Sequence, residues 1–366
     1  MLIEQAIFTS AQTGRRDGYQ VVAHSPDLDG HELAEIARHS PSHDALWDAD
    51  DDARSISFYP LPSGRYCVSQ STFGGQEYSA RRGPRVYTQC LIATVETMGE
   101  FANNPFALLA AAFAQGQLRV LDKVPADLEP FRLCGRAAPV DEALLRLLAS
   151  DPGITWLQAL VEAALTAFNV AILAPREAQC YISALINCLP LECRLPFSFS
   201  TGLKYSPRRP LRVVGLGGKL AEQRRVAERY GLTVFEISGK PPKESTATSG
   251  WGGFIAGVLA AGKTAFLAEQ LSVARPGLSL ADLVPLGDEL LERMADGPRG
   301  GGNPVAPFDL AVPTVAELTA TVARATTDER RADAAHFRFA SLAPTRAETA
   351  GCELREDPSQ VVGGQC

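Results

Sequence analysis

The sequence predicts an α+β or α/β fold, with a β-rich mixed-sheet domain followed by a mostly helical α/β region. Apolar residues alternate with a period of two through most of residues 1–100, whereas from Asn104 onward they recur with the period of 3.6 that is typical of helices. A chain of 366 residues exceeds one ordinary core, so two domains are expected. The predicted divisions are the β-rich domain at 1–100, the helical α/β region at 101–275, a linker with a small helical extension at 276–339 and a disordered tail at 340–366.

The composition is that of a globular protein with little charge bias. Hydrophobic residues make up 46% of the chain, charged residues 21%, and the net charge is −7. A mildly acidic chain has no broad attraction to nucleic acid or anionic lipid, so neither is expected as a partner. The sequence has no apolar run long enough to span a membrane and no recognisable signal peptide. The eight cysteines form no Cys-x-x-Cys pair, which favours free thiols in a reducing cytoplasm.

Five strands and one helix are expected in the β-rich domain. Residues 2–8 and 19–23 alternate as strands and form a long-looped hairpin. Asp29 and Glu32 have the spacing of a capping box, which predicts that a helix begins there. The remaining strands are predicted at residues 55–60, 66–72 and 86–94, with a loop at 73–75 and the last strand central in the sheet.

Helices and short strands are expected to alternate in the second region. Phe168 is predicted to lie on the buried face of its helix, as the last of a series of apolar residues at helical spacing. The predicted helices begin at Pro105 and span 141–149, 155–168, 177–189, 264–271 and 282–294. The predicted strands are 170–173, 197–201, 211–214 and 233–236.

The most chemically dense segment is 76–90, which places an acid, three arginines and two tyrosines beside an apolar strand. Arg81 and Arg82 can bind a carboxylate or phosphate through bidentate hydrogen bonds. They can equally be satisfied by loop carbonyls and by acids such as Glu77. The first possibility describes a small-ligand or peptide sensor, or a partner-binding site, formed by Tyr78, Arg81, Arg82 and Gln89.

Several segments of the chain resemble the GTPase-associated proteins of bacterial conflict systems. They are residues 4–8, 18–26, 59–66, 78–83 and 189–203. The resemblance is spread over residues 1–275 as separate motifs. It implies a partner, a GTPase encoded nearby, more than it implies a reaction.

The chain departs from the pattern of this family at four positions. Members typically carry an Asp-Tyr-Ser-Gly-Arg motif, then a Gly-Asn pair and a histidine on the following strand. The corresponding residues here are Glu77, Ala80, Pro84 and Gln89. An amide cannot exchange protons near pH 7 as a histidine does. The resemblance therefore favours a non-catalytic adaptor without a cofactor, although it leaves enzymatic activity open.

A literal phosphate-loop pattern occurs at residues 257–264. Its fixed positions are Gly257, Gly262, Lys263 and Thr264. Such a loop would hold ATP or GTP through backbone N–H groups and the lysine. However, the apolar residues of 251–259 fall on one face of a helix that would run through the loop and end at Gly262. An NTP-binding protein is therefore the alternative, and a helix is the favoured interpretation.

A glycine-rich turn at 215–220 has the layout of a dinucleotide site, with a strand before it and a helix and a strand with Glu236 after it. Leu220 stands where a small residue is needed for tight helix packing, and no further strands are expected after residue 237. A simple turn into a helix is favoured.

Four histidines also lie close together in sequence (His24, His31, His39 and His43), but Pro41 disfavours a helix through the last two, and no metal site is expected.

Overall fold

The computed structural model describes residues 1–12, 17–46, 53–77, 84–173, 178–217, 219–236 and 249–296. All of these residues belong to one compact unit, Met1–Ala316. The predicted tail and most of the predicted linker and extension lie outside the described residues.

A mixed sheet of ten strands forms the centre of the described fold. Its strands are β1 (Leu2–Gln12), β2 (Asp17–His24), β3 (Arg54–Pro60), β4 (Tyr66–Gln76), β5 (Pro84–Ala93), β6 (Phe131–Arg132), β7 (Val170–Leu173), β8 (Phe199–Leu203), β9 (Val213–Leu216) and β10 (Thr233–Glu236). They lie in the order β10-β7-β9-β8-β3-β4-β5-β1-β2, and β6 pairs with β1. The hairpin of β1 and β2 is confirmed, and β5 lies inside the sheet between β4 and β1.

The sheet has an antiparallel half and a parallel half. Strands β1 to β5 pair antiparallel, whereas β8, β9, β7 and β10 pair parallel. The halves join where β3 meets β8, with Ser57 opposite Ser200 and Phe58 opposite Phe199. The predicted α+β class is confirmed. The predicted domain boundaries at residues 100, 275 and 339 stay predictions.

Helices cover both faces of the sheet. They are α1 (Gly30–His39), α2 (Val95–Glu100), α3 (Pro105–Ala114), α4 (Glu142–Leu148), α5 (Ile154–Thr166), α6 (Ala178–Asn187), α7 (Leu191–Arg194), α8 (Leu220–Tyr230), α9 (Gly250–Ala260), α10 (Thr264–Ser272) and α11 (Leu283–Asp296). The capping box of Asp29 and Glu32 is present at the start of α1, and the Asn104 side chain caps α3, whose first residue is Pro105. No described helix has the length and apolar character needed to cross a membrane.

Three local predictions were wrong. Residues 73–75 belong to β4 rather than to a loop; a Cβ on Gly74 would lie 2.7 Å from the Cβ of Tyr87, so the glycine permits close approach within the sheet. The strand predicted to end at Thr94 ends at Ala93, because Thr94 caps α2: its side chain accepts a hydrogen bond from the Thr97 N–H. Phe168 is 80% exposed, because α5 ends at Thr166.

The two faces of the sheet carry different cores. The first face presents residues such as Phe58, Val68 and Leu91 to the large cluster formed with α3 to α6 and α9. The second face presents Tyr59 and Ile92, among others, to a smaller cluster that includes residues of α1 and α8. Side chains alternate between the faces along a regular strand, so these positions give the face of the strand residues that lie outside the bulges.

Arg194 joins three separate segments beneath the first face. Its guanidinium is fully buried and donates hydrogen bonds to the carbonyl oxygens of Leu189 (2.9 Å), Ala102 (2.8 Å) and Pro139 (2.5 Å). Burial lowers the pKa of Arg194 to about 10, so the side chain is still charged at neutral pH. A buried cation with this many carbonyl partners holds the connections around α2, α4 and α6 together.

Candidate functional site

The candidate site lies at the end of the β4–β5 hairpin. Tyr78, Arg81 and Arg82 are outside the described residues, but both ends of their loop are held in place. Gln76 pairs with Pro84 across the hairpin. Ser10 of β1 donates a hydrogen bond to Oε1 of Glu77, which fixes the residue immediately before the loop.

Glu77 is a carboxylate with spare hydrogen-bonding capacity. Its Oε2 atom is buried and makes no hydrogen bond in the described structure. A buried carboxylate oxygen without a partner is costly. It is therefore a natural acceptor for an N–H group or a cation of a bound molecule.

Tyr19 stands next to Glu77 and stays neutral. Its hydroxyl accepts a hydrogen bond of 3.0 Å from the N–H of Val86 and lies close enough to Glu77 to interact with its carboxylate. Burial, with a smaller contribution from the charge of Glu77, raises the pKa of Tyr19 to about 12. Tyr19 can orient Glu77, but it cannot act as a base near pH 7.

Arg85, the third arginine of the segment, is used within the hairpin itself. Its Nε and Nη2 atoms donate to the carbonyl oxygen of Gly74 at 3.0 and 2.5 Å. A bidentate clamp for a carboxylate or phosphate at this site therefore depends on Arg81 and Arg82.

Gln89 lies on the opposite face of the sheet from Glu77 and Tyr19. Tyr19 packs with Val86 on the second face, and the alternation along β5 places Gln89 on the first. The Nε2 atom of Gln89 donates to Oε1 of Gln5 (3.2 Å) and to the carbonyl of Gln117 (2.8 Å), while its Oε1 accepts from the N–H of Arg119 (3.3 Å).

The Gln89 side chain is only 8% exposed. Its amide anchors the segment that follows α3 to β5 and β1. Its bonds are those of a structural residue, and the sheet separates it from Glu77 and Tyr19.

The segment with the phosphate-loop pattern is helical. Helix α9 runs from Gly250 to Ala260 and passes through Gly257, so the predicted helix is confirmed. Gly262 has a φ of +64° and follows the helix end, where its N–H donates to the Leu259 carbonyl and that of Lys263 donates to the Val258 carbonyl, both at 3.0 Å. These N–H groups are already bonded, so they are not available to hold a phosphate.

Thr264 and the glycines of this segment have packing roles. The Thr264 hydroxyl donates to Glu142 Oε2 at 2.5 Å and accepts from Arg146 at 2.9 Å, which ties α10 to α4. A Cβ on Gly257 would come within 3.2 Å of Leu291, and one on Gly252 would lie 2.6 Å from Glu162. The glycines let α9 approach α11 and α5 closely.

Thr264→Val is expected to destabilise the protein by about 1–3 kcal/mol, because it removes both hydrogen bonds that join the buried Thr264 hydroxyl to the ion pair of Glu142 and Arg146. Lys263 is exposed, so Lys263→Ala is expected to change stability by less than about 0.5 kcal/mol. Denaturant titrations compare the free energy of unfolding of the two variants.

Calorimetry with ATP and GTP is expected to show no binding to the wild type. Nucleotide binding that is lost in Lys263→Ala would restore the phosphate-loop interpretation.

The glycine-rich turn after β9 does enter a helix, α8, followed by β10. No strand follows β10 among the described residues, as expected, and the sheet is completed instead by β7 and β8, which come earlier in the chain. Gly215 lies within β9, where a Cβ would be 2.6 Å from Ala178 Cβ and 2.7 Å from the Thr201 carbonyl. The glycine thus permits α6 to pack on the sheet. Glu236 accepts two hydrogen bonds from Arg224, at 3.0 and 2.5 Å.

Comparison with known proteins bears on the first third of the chain. Residues 2–130 match the family described as GTPase-associated protein 1, N-terminal domain type 2. This region therefore resembles the N-terminal domain of a GTPase-associated protein. The match contains β1 to β5, α1 to α3 and the complete candidate site. No curated protein matches the chain.

Two features were not foreseen from the sequence. Arg194 appeared only as part of a longer motif, although an arginine within the largely apolar run 189–199 is a signal of a buried, fully bonded cation. Buried serines at alternating positions of β3 and β4 were likewise taken as ordinary strand residues. Small polar side chains repeated on one face of interior strands are the signal that identifies them.

Proposed function

We propose that this chain is a non-catalytic adaptor of a bacterial GTPase-associated conflict system, and that its partner is a GTPase encoded nearby. The observation that carries the proposal is the match of residues 2–130 to the N-terminal domain of GTPase-associated protein 1. The match supports a GTPase-associated role. The adaptor function is our inference from the chemistry of the candidate site.

Binding suits this site better than proton transfer does. Gln89 stands where the family carries a histidine, cannot exchange protons near neutral pH, and is engaged in structural hydrogen bonds. Tyr19, with a pKa of about 12, remains protonated. The mild net charge of −7 gives no reason to propose nucleic acid or membrane as a partner, and we propose a cytoplasmic location.

The partner is proposed to contact the end of the β4–β5 hairpin through Tyr78, Arg81 and Arg82. The buried, unpartnered Oε2 of Glu77 adds an acceptor immediately beside that loop. Two guanidinium groups next to one carboxylate can recognise a surface that carries both an acid and a hydrogen-bond donor.

Arg82→Glu is expected to weaken binding of the neighbouring GTPase by at least about tenfold, because it places an acid where a bidentate donor is proposed. The matched control is Arg208→Glu, which makes the same change at an exposed residue in the turn after β8. Co-purification of each full-length variant with the GTPase, alongside its melting temperature, tests the prediction. Equal retention of the GTPase by both variants would remove Arg82 from the interface.

A small-ligand or peptide sensor at the same loop is the second candidate. The unpartnered Glu77 oxygen favours it, because a ligand with both a donor and an acid would satisfy the carboxylate and the arginines together. Arg82→Glu would then abolish ligand capture without unfolding the chain, and co-purification with the GTPase would be unaffected.

A further inference from the structure

The last residue of α1, His39, packs against the second face of the sheet. Its imidazole stacks on the ring of Tyr59 in β3, with the ring centroids 4.0 Å apart and the planes 14° from parallel. The His39 side chain is 4% exposed and that of Tyr59 is 1% exposed, so the contact lies inside the protein. Together with the fully buried Ile36, this stack holds the C-terminal half of α1 on the sheet.

The two ends of α1 are held by different chemistry. Near the N-terminal end, Glu32 accepts hydrogen bonds from the Ser63 hydroxyl at 2.5 Å and from Nε of Arg65 at 2.8 Å. Burial alone would raise the pKa of Glu32, but the hydrogen bonds from Arg65 and Ser63 outweigh it and lower the pKa. This end therefore stays ionised and bonded in mildly acid solution, whereas the C-terminal end depends on the stack of His39.

The surroundings of His39 favour an uncharged imidazole. Its Nδ1 atom lies 3.2 Å from the carbonyl oxygen of Glu35 and 3.3 Å from Glu35 Oε1; both acceptors suit an N–H at Nδ1, so a further proton would be added at Nε2. Burial lowers the pKa of His39 most, Glu35 opposes it, and the positive charges of Arg38 and Arg209 lower the pKa further. On the sheet side His39 faces Tyr59, which is neutral because burial raises its pKa well above the ordinary value.

The segment that follows, residues 40–45, is poorly satisfied. The hydroxyl of Ser40 and Nδ1 of His43 are buried and have no hydrogen-bond partner. Asp44 has a φ of +59°, in the left-handed region that residues other than glycine rarely adopt. Buried polar groups without partners destabilise the segment that contains them, so residues 40–45 need support from their neighbours to stay in place.

The same segment is fixed again at its far end. The N–H of Lys204 donates to the carbonyl of Ala45 at 2.8 Å, and Leu46 forms a bridge with Leu203 of β8. Residues 40–45 thus lie between this anchor and the His39 stack. Loss of the stack frees them at one end, so they can open locally while the sheet stays intact.

We propose that His39 and Tyr59 form an acid-sensitive latch: protonation of the His39 imidazole breaks the stack and releases the end of α1 and residues 40–45 from the sheet. A phenylalanine in place of His39 would hold the helix at every pH, whereas a buried histidine holds it only while the imidazole is neutral. Release relieves the poorly satisfied segment and exposes the ring of Tyr59 on the second face.

The pH range of the latch follows from the sign of the effect. Because the pKa of His39 is lowered in the fold, its contribution to stability is complete above the pKa of an unfolded histidine, about 6.5. The contribution is lost as the pH falls below that value, since the open segment then binds the proton more readily than the closed one. Carboxylates such as Glu32 are ionised in both states down to about pH 5.5, so they do not open the helix in this range.

The test is hydrogen exchange of the full-length protein at about pH 7.5 and about pH 5.5, corrected for the intrinsic exchange rate at each pH. The opening equilibrium of residues 36–45 is expected to rise at least about threefold at the lower pH, while that of β4 and β5 stays the same. His39→Phe keeps a flat ring without a titratable nitrogen, so it is expected to remove the rise. His31→Phe is the matched control, because His31 is an exposed histidine of the same helix, and it is expected to keep the rise.

Two outcomes would overturn the latch. Equal protection of residues 36–45 in the wild type at both pH values would show that acid does not open the segment, and a rise that persists in His39→Phe would assign the opening to another group. Should His39→Phe fail to fold, an NMR titration of the wild-type imidazoles replaces it. The latch then requires that His39 titrates over the pH range in which exchange rises, and titration in a different range contradicts it. Because the readout is local exchange, it is independent of whether the GTPase partner proposed above is found.

Discussion

Arg194→Ala is expected to be the most destabilising single substitution in the helical α/β region, with a loss of more than about 4 kcal/mol in the free energy of unfolding. The guanidinium is fully buried and bonded to three carbonyl oxygens from separate segments. Each carbonyl left without a donor in the interior costs about 1–3 kcal/mol. The side chain removed also leaves a cavity.

Chemical denaturation of the variant and the wild type measures this loss. The matched control is Arg136→Ala, which removes an arginine that is 83% exposed and paired with Glu100 at 2.8 Å; exposed pairs contribute about 0–1 kcal/mol. Arg194→Lys should also be costly, because one ammonium cannot reach three carbonyls in the geometry of the guanidinium. A loss for Arg194→Ala no larger than that of Arg136→Ala would show that Arg194 does not hold these segments together.

Gly287→Val is expected to destabilise the protein by roughly 3 kcal/mol or more. A Cβ on Gly287 of α11 would overlap the backbone of Gly250 and Trp251 in α9. The backbone cannot yield as a flexible side chain does, so the two helices must separate. Separation would also break the 2.5 Å hydrogen bond from the Gly250 N–H to Asp288 and loosen the packing around Trp251, which is fully within the core.

The control for this prediction is Gly99→Ala. Gly99 lies in α2, and nothing approaches within 4 Å of a Cβ placed there. Alanine should therefore be neutral or stabilise the helix by about 0.5–1 kcal/mol. Thermal and denaturant unfolding of both variants decides the matter; a Gly287→Val variant as stable as Gly99→Ala would mean that α9 and α11 are not closely packed.

Local signals predicted the local structure well. The capping box at Asp29 and the proline after Asn104 identified the starts of α1 and α3, because a helix start depends on a few neighbouring residues. The apolar stripe through 251–259 correctly overruled the phosphate-loop pattern. In both cases the deciding interactions lie within one or two turns of a helix.

Long-range features were harder to predict. Gly74 and Gly215 leave room for side chains of other elements, Tyr87 and Ala178, that approach them closely. These neighbours are distant in sequence, so the sequence pattern alone does not show that they are in contact. The parallel partners of β10 come from upstream strands for the same reason. At the candidate site, the face occupied by Gln89 could be inferred only once the register of β5 was known. Tyr78, Arg81 and Arg82 lie outside the described residues, so their role stays a prediction.

The measurement that tests the central proposal most directly is the affinity of the full-length chain for the GTPase encoded nearby. Isothermal titration calorimetry with the GTPase loaded with GDP, and then with a non-hydrolysable GTP analogue, gives this value in both nucleotide states. We predict a stable complex whose affinity differs between the two states and falls at least about tenfold in Arg82→Glu. No detectable complex in either state would contradict the proposal that this chain is an adaptor of that GTPase.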